Sequence, residues 1–164
     1  MKCIYPGSFD PVTRGHTDVI FRLSRIFDEV LVGVLHNVAK QGCFTVEERV
    51  EMLAAACAGA PNVRIVAWSG LLADLARESG IRTVVKGIRS VSDADSEMAQ
   101  ARANALLMPD LETLLIPCST GMEGISSSAA REVAAFGGDL TSFVIPEVAE
   151  RLRRRFARDM AQGT

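Results

Sequence analysis

The residues best suited to chemistry lie in one polar stretch near the N-terminus, Tyr5-Pro-Gly-Ser-Phe-Asp-Pro-Val-Thr-Arg-Gly-His16. Gly7 and Ser8 allow the backbone to approach a ligand where a short strand ends. Thr13 to His16 open a helix, whose free N–H groups and partial positive charge favour phosphate. His16 can donate a hydrogen bond to a phosphate oxygen as negative charge builds up during transfer. The spacing matches neither Walker A nor G-x-G-x-x-G, and a helix-capping histidine is the alternative for His16 considered by itself.

A second group of polar residues, Ile125-Ser-Ser-Ser128, stands at the start of another predicted helix. Three hydroxyls and the free backbone amides of a helix start would form an anion site suited to the outer phosphates of a triphosphate. The alternative is an ordinary serine N-cap.

Positive charge follows two other predicted strands. Val85-Lys-Gly-Ile-Arg89 places two cations around one glycine, and Lys40 lies in the polar loop after the second strand. Two positive charges in one loop fit two phosphorylated substrates. Solvated loop charges are the alternative for each of these residues.

Short apolar runs that alternate with helical patterns would position these segments. The patterns predict strands at 3–5, 30–35, 62–67, 83–85 and 111–116, and helices at 15–27, 45–57, 71–78, 92–107, 126–136 and 146–156. Alternation of this kind predicts an α/β fold: a doubly wound, Rossmann-like five-stranded parallel sheet with helices on both faces, in a single domain over 1–164. Ligands of such sheets bind beyond the carboxyl ends of the strands, where the polar segments fall.

Composition excludes several classes of protein. The formal net charge of -2 argues against a nucleic-acid binder, and no apolar run approaches the length of a membrane span. The four cysteines have no CxxC or zinc-like spacing, so we expect reduced thiols, no metal site and a cytoplasmic protein. The basic cluster at 151–155 favours a solvated or subunit-contacting helix face.

The N-terminal stretch resembles the [TH]-x-G-H signature of the nucleotidyltransferase superfamily, and I-S-S-S resembles the phosphopantetheine adenylyltransferase family within it. The resemblance runs from Tyr5 to about Pro146. It implies transfer of AMP from ATP to 4'-phosphopantetheine by direct in-line attack, giving dephospho-coenzyme A and pyrophosphate in the penultimate step of coenzyme A biosynthesis. It also implies Mg²⁺ with ATP and a homohexamer. Feedback binding of coenzyme A is left open.

The resemblance also assigns residue roles by position. His16 would be the transition-state stabiliser, with Lys40 as a second catalytic residue. The residues implied at ATP are Ser8, Phe9, His16, Gly87, Ile88, Arg89, Glu97, Met122, Glu123, Gly124, Ile125, Ser126, Ser127 and Ser128. Those implied at the acceptor are Ser8, Lys40, Leu72 and Lys86.

The chain departs from the family pattern at several positions. Lys86 replaces an arginine, Ala94 and Ser96 replace two aromatic residues, and Met122 stands where an aromatic residue is common. Lysine keeps the charge but lacks the bidentate fork of arginine. Alternative functions are a cytidylyltransferase, a nicotinamide-nucleotide adenylyltransferase, and a non-catalytic nucleotide-sensing domain. Thr13 and the serine run count against the first two.

Overall fold

Five parallel strands form one sheet in the computed structural model, which describes residues 1–36 and 42–162. The strands are β1 (Lys2–Gly7), β2 (Glu29–Leu35), β3 (Val63–Trp68), β4 (Thr83–Ile88) and β5 (Glu112–Pro117). Their order is β3-β2-β1-β4-β5, so the chain builds outward from β1 to β3 and then crosses to β4 on the other side. The switch in strand order therefore lies between β1 and β4. The predicted five-stranded doubly wound fold is confirmed.

Two strands extend at least two residues beyond their predicted carboxyl ends, because the residues there are hydrogen-bonded to neighbouring strands. Pro6 and Gly7 pair with β2, so β1 continues two residues beyond Tyr5. Residues 86–88 pair with 115–117 of β5, so Lys86, Gly87 and Ile88 belong to β4. The prediction that Lys86 and Gly87 lie in a loop was therefore wrong. A strand gives their backbone a more rigid position than a loop would.

The helices are α1 (Arg14–Ile26), α2 (Val46–Ala56), α3 (Leu72–Ser79), α4 (Val91–Leu107), α5 (Ser127–Ala135) and α6 (Pro146–Gln162). Local signals account for several ends. Thr45 and Glu48 form the capping box predicted for α2, and Ser90 caps α4. Gly80 adopts a left-handed conformation that ends α3. No helix among the described residues combines the length and hydropathy of a membrane span.

Apolar side chains from alternate positions of the central strands bury both faces of the sheet. On one face, Val30 and Val32 pack in a cluster with residues of α1, α2, α5 and α6. On the other face, Ile4, Leu31 and Val84 pack with residues of α3. Helix α4 contributes no buried residue. Helices therefore pack on both faces of the sheet, as predicted.

Candidate active site

A cavity of about 350 Å³ opens at the carboxyl ends of β1 and β4, at the switch in strand order. It is bounded by the loop after β1, the start of α1, the end of β4, one residue of α4, and the loop that leads into α5. Its size is that of a small-ligand pocket. The location agrees with the position expected for ligands in a doubly wound sheet.

Most of the residues singled out from the sequence line this cavity. They are Ser8, Phe9, His16, Lys86, Gly87, Arg89, Glu97, Met122, Ile125, Ser126, Ser127 and Ser128. Ile88, Glu123 and Gly124 are neighbours of lining residues along the chain and do not line it. Leu72 lines a second, much smaller cavity, which also includes Lys86 and Glu97 and so adjoins the first. Lys40 lies outside the described residues.

The cavity also contains residues that the sequence-based assignment omitted: Tyr5, Pro6, Gly7, Thr13, Gly15, Val19 and Cys118. All but two belong to the N-terminal stretch from which His16 was selected. Val19 is three residues beyond His16 and therefore lies on the same face of α1, a signal that the helical spacing contained. Cys118 follows a strand directly, which is also where site residues of this fold occur.

The imidazole of His16 has a defined orientation. The backbone N–H of Thr13 donates to His16 Nδ1 at 3.0 Å, within a capping box at the start of α1. Since Nδ1 is an acceptor, the neutral ring carries its proton on Nε2. Burial, and then the positive charge of Arg89, lower the pKa of His16 to about 4. His16 is thus both a capping residue and a neutral N–H donor that lines the cavity.

Phe9 supports the ring of His16 from the side. Its backbone has a φ of 47°, which is uncommon for a residue with a side chain, and its side chain is buried. The Phe9 ring meets the His16 ring edge-on, with centroids 5.0 Å apart. It also covers Gly7, where an added Cβ would lie 2.9 Å from a ring carbon. Phe9 therefore belongs to the wall that orients His16.

The β1–α1 loop (residues 8–13) is anchored to the start of α2 through Asp10. The Asp10 carboxylate accepts hydrogen bonds from the backbone N–H groups of Cys43 and Phe44, at 2.8 and 2.9 Å. Arg49 Nε lies 3.3 Å from the same carboxylate, and Arg49 also donates to the Ser8 carbonyl. Both charged side chains are largely buried. The buried pair of Asp10 and Arg49 therefore holds the β1–α1 loop at the carboxyl end of the sheet.

Helix α5 anchors the same loop from the other side. The Ser127 hydroxyl donates to the Pro11 carbonyl at 2.8 Å, and Arg131 donates to the Asp10 carbonyl. The peptide bond between Asp10 and Pro11 is cis. The starts of α1 and α5, which both favour anions, are therefore bonded through one short loop.

The serine hydroxyls have protein partners, which changes the expected anion site. Ser126 Oγ accepts the N–H of Ala129 and caps α5, so the N-cap interpretation is right for this residue. Ser127 donates to the β1–α1 loop, and Ser128 Oγ accepts a bond from Arg131. The N–H groups of 127 and 128 begin the helix and have no partner within it. An anion here would meet backbone amides as well as hydroxyls.

The two cations of β4 and its extension are paired with carboxylates of α4. Lys86 Nζ lies 3.0 Å from Glu97 Oε2, and both side chains are mostly buried. Arg89 Nε donates to Asp93 Oδ2 at 3.0 Å, in a more exposed position. Each cation is held by one acid and keeps N–H groups for a phosphate ligand. The α4 carboxylates thus fix the positions of the charges that line the cavity.

Known proteins resemble the chain over nearly its whole length. The family profile described as cytidylyltransferase-like matches residues 4–133. Phosphopantetheine adenylyltransferase of Finegoldia magna is 43% identical over 155 residues, covering 94% of this chain and 96% of the relative. The same-named protein of Polynucleobacter necessarius is 44% identical over 156 residues, covering 95% and 94%.

A solved structure shares the architecture at much lower identity. Plasmodium falciparum nicotinic acid mononucleotide adenylyltransferase superposes with a TM-score of 0.66 at 16% identity, covering 93% of this chain and 94% of that one. At this identity the likeness shows the fold alone, whereas the relatives that are 43% and 44% identical show the family. The chain belongs to the cytidylyltransferase-like superfamily and, within it, to the phosphopantetheine adenylyltransferase family.

Proposed function

We propose that the chain transfers AMP from ATP to 4'-phosphopantetheine in the cytoplasm, giving dephospho-coenzyme A and pyrophosphate. The observation that carries the proposal is the single cavity that brings together His16, the start of α5, Lys86 and Arg89. Two helix starts and two cations suit a reaction in which both substrates are phosphorylated. The names of the relatives from Finegoldia magna and Polynucleobacter necessarius support this choice of substrates.

In the proposed reaction a phosphate oxygen of the acceptor attacks the α-phosphorus of ATP in line with the leaving pyrophosphate. One P–O bond forms to the acceptor, and the bond between the α-phosphorus and the bridging oxygen breaks. The acceptor phosphate is anionic near neutral pH, so the reaction needs alignment and charge stabilisation rather than a strong base. His16 Nε2–H would donate to a non-bridging oxygen of the α-phosphate as its charge increases.

We place the acceptor beside Lys86 and Leu72. Lys86 lines both the cavity that contains His16 and the small cavity that contains Leu72. The acceptor phosphate would meet the ammonium of Lys86, and its organic arm would extend toward α3 and α4. Lys40 completes the proposed set as a second cation. Coenzyme A has the same arm, so we expect any feedback binding to compete with the acceptor.

Mg²⁺ is proposed as the ion that accompanies ATP. Glu97, a carboxylate in the cavity, is already paired with Lys86. Phosphate oxygens and water would therefore be the principal ligands, a set that suits Mg²⁺. When bound, the ion would neutralise charge on the phosphate groups. Removal with EDTA should stop turnover, and added Mg²⁺ should restore it.

We also propose a homohexamer with subunit contacts on the face formed by α4 and β5. Exposed apolar residues are concentrated there: Val91, Met98, Leu106, Leu107 and Leu114. The sequence also suggested α6 for this role; its residues Val148 and Leu152 are buried in the core of the same chain, so a contact through α6 would use its exposed basic residues. Burial of the α4 and β5 residues by a second subunit would be favourable.

Pyrophosphate release tests the reaction directly. The protein is incubated with ATP or CTP, without an acceptor and then with phosphopantetheine or nicotinamide mononucleotide. We expect release with ATP and phosphopantetheine only. Release with CTP would indicate a cytidylyltransferase, and release with nicotinamide mononucleotide would indicate the other adenylyltransferase. ATP binding without release under every condition would favour the nucleotide-sensing alternative.

A further inference from the structure

Helix α1 is bonded to the β5–α5 loop (residues 118–126) at a point outside the cavity. Asp18 Oδ1 accepts the hydroxyl of Ser119 at 2.8 Å, and Asp18 Oδ2 accepts its backbone N–H at 3.2 Å. Arg22, one turn further along α1, donates to the Pro117 carbonyl at 2.7 Å and lies 3.3 Å from Asp18. Asp18 does not line the cavity. Asp18 therefore bonds to the loop without forming part of the cavity wall.

Ser119 transmits this attachment to the part of the loop that lines the cavity. Its carbonyl accepts the N–H of Met122 at 3.0 Å, and the Met122 carbonyl accepts the N–H of Ile125 at 3.1 Å. Gly121, with a φ of 87°, allows the chain to reverse between them. Consecutive turns therefore connect Asp18 to Met122 and Ile125, which both line the cavity.

The far end of the loop meets α1 a second time. A Cβ added to Gly15 would lie 3.3 Å from the Ile125 carbonyl oxygen, which shows how closely the two backbones approach. The β5–α5 loop therefore contacts α1 at two places, Ser119 at Asp18 and Ile125 at Gly15, and Met122 lies between these two contacts. His16 lies on α1 between Gly15 and Asp18. The loop and the imidazole are therefore both attached to the same helix.

We propose that Asp18 is a positioning residue for the nucleotide: through Ser119, it sets the distance between the Met122 wall and His16. The proposal rests on the proposed function, in which ATP occupies this cavity. Without the carboxylate, the loop keeps the contact of Ile125 with Gly15 and loses the contact of Ser119 with Asp18. ATP binding should weaken because the loop must then be ordered by the ligand. The acceptor lies beside β4 and α3, so its binding should be unaffected.

Two substitutions on opposite sides of the contact test the proposal. Asp18→Asn keeps the shape of the side chain and removes the negative charge from its contacts with Ser119 and Arg22. Ser119→Ala removes the hydroxyl from the loop and leaves α1 intact. We expect each to raise the KM for ATP by roughly 5- to 30-fold, with kcat and the acceptor KM within about 3-fold of wild type. The double variant should be no worse than the weaker-binding single variant, since both remove the same contact.

Glu150→Gln is the control, because Glu150 also pairs with an arginine four residues away, on α6, and does not line the cavity. It should leave both KM values unchanged. Equal increases of both KM values in Asp18→Asn, or an unchanged KM for ATP, would overturn the proposal. Additive effects in the double variant would also contradict it, because they would indicate two unrelated contacts.

Calorimetric titration with ATP alone separates this proposal from the proposed function. A wild-type protein that binds ATP but does not act on phosphopantetheine would contradict the proposed function. In that case, a 5- to 30-fold weaker ATP affinity of Asp18→Asn would still support the positioning role. If the wild-type protein binds no ATP, both proposals are wrong. The signal of a ¹³C-labelled Met122 methyl group should also shift in both variants and not in Glu150→Gln.

Discussion

At the scale of the residue, His16 has a structural role at the start of α1 and a proposed role in catalysis, and substitutions can separate the two. Its Nδ1 accepts the Thr13 N–H, and in the proposed reaction its Nε2–H would donate to the substrate. His16→Ala should reduce turnover by about 10²–10³-fold, through loss of a donor to the transition state. It should also cost about 1 kcal/mol of stability, because the start of α1 loses the bond that His16 contributes to the capping box.

Single-turnover measurements with saturating ATP would test the effect on turnover, and chemical unfolding would test the effect on stability. His16→Asn should recover most of the stability, since an amide oxygen can accept the Thr13 N–H. His36 is the only other histidine in the chain, and it does not line the cavity. His36→Ala is therefore the control. Near-normal turnover in His16→Ala would contradict the assigned role.

The lowered pKa of His16 makes stability depend on pH. In the unfolded chain His16 binds its proton near pH 6.5, whereas in the folded protein its pKa is about 4. Between these values the unfolded state holds more protons, so the free energy of unfolding decreases as the pH falls. The contribution of His16 is complete above pH 6.5 and is lost as the pH falls through about 4.

Urea unfolding between pH 4 and 8 measures this contribution, which should be about 3 kcal/mol at pH 7. The slope below pH 6.5 should be smaller in His16→Asn than in the wild-type protein and unchanged in His36→Ala. Superimposable pH profiles for wild type and His16→Asn would show that His16 is protonated equally in both states.

Lys86 is a residue whose role depends on which substrate it meets. Lys86→Ala should raise the KM for phosphopantetheine about 10-fold or more, and the KM for ATP much less, because the proposed acceptor phosphate loses its cation. Lys2→Ala is a matched control, since Lys2 forms a similar pair with Glu29 outside the cavity. Equal increases of both KM values would place Lys86 at a phosphate shared by the two substrates.

At the scale of the element, Asp10 joins the β1–α1 loop to α2. Its buried carboxylate binds two backbone N–H groups and Arg49. Asp10→Asn would place an amide NH₂ group opposite these donors, and it would leave Arg49 buried without its counter-charge. We expect a loss of about 2–4 kcal/mol in the free energy of unfolding, together with lower turnover.

Urea unfolding at neutral pH measures this loss, with Asp74→Asn as the control. Asp74 also pairs with an arginine, but both side chains are about half exposed, so its removal should have little effect. If Asp10→Asn were as stable as Asp74→Asn, the buried pair would not be what holds the loop.

At the scale of the whole molecule, the exposed apolar face of α4 and β5 predicts assembly. Light scattering should give a mass near six times that of the 17.6 kDa chain. Leu106→Glu should lower that mass, because it introduces a charge into a contact that would be buried. The far-ultraviolet circular dichroism spectrum should not change, since Leu106 is 86% exposed in the isolated chain.

Phe136→Glu is the matched control, since Phe136 is 87% exposed but lies at the end of α5. Dissociation by Leu106→Glu alone would locate the contact on α4 and β5. Dissociation by Phe136→Glu alone would place it elsewhere, and a wild-type mass equal to that of one chain would contradict assembly.

The sequence by itself determined the order and type of the elements and the chemistry of the polar segments. Buried strands, capping boxes and the segment ending at His16 are local patterns, readable over about a dozen residues. Even the alternatives that they left open were informative: His16 and Ser126 prove to be capping residues that also line the cavity.

Only the tertiary structure decided which polar groups distant in the sequence become partners. The contacts of Ser127 with Pro11, Arg131 with Asp10, and Asp18 with Ser119 join residues 116, 121 and 101 positions apart. It also assigned Lys86 to a strand, through pairing with β5. Such contacts leave no periodic signal in the sequence, because they depend on how the crossovers place distant strand ends side by side.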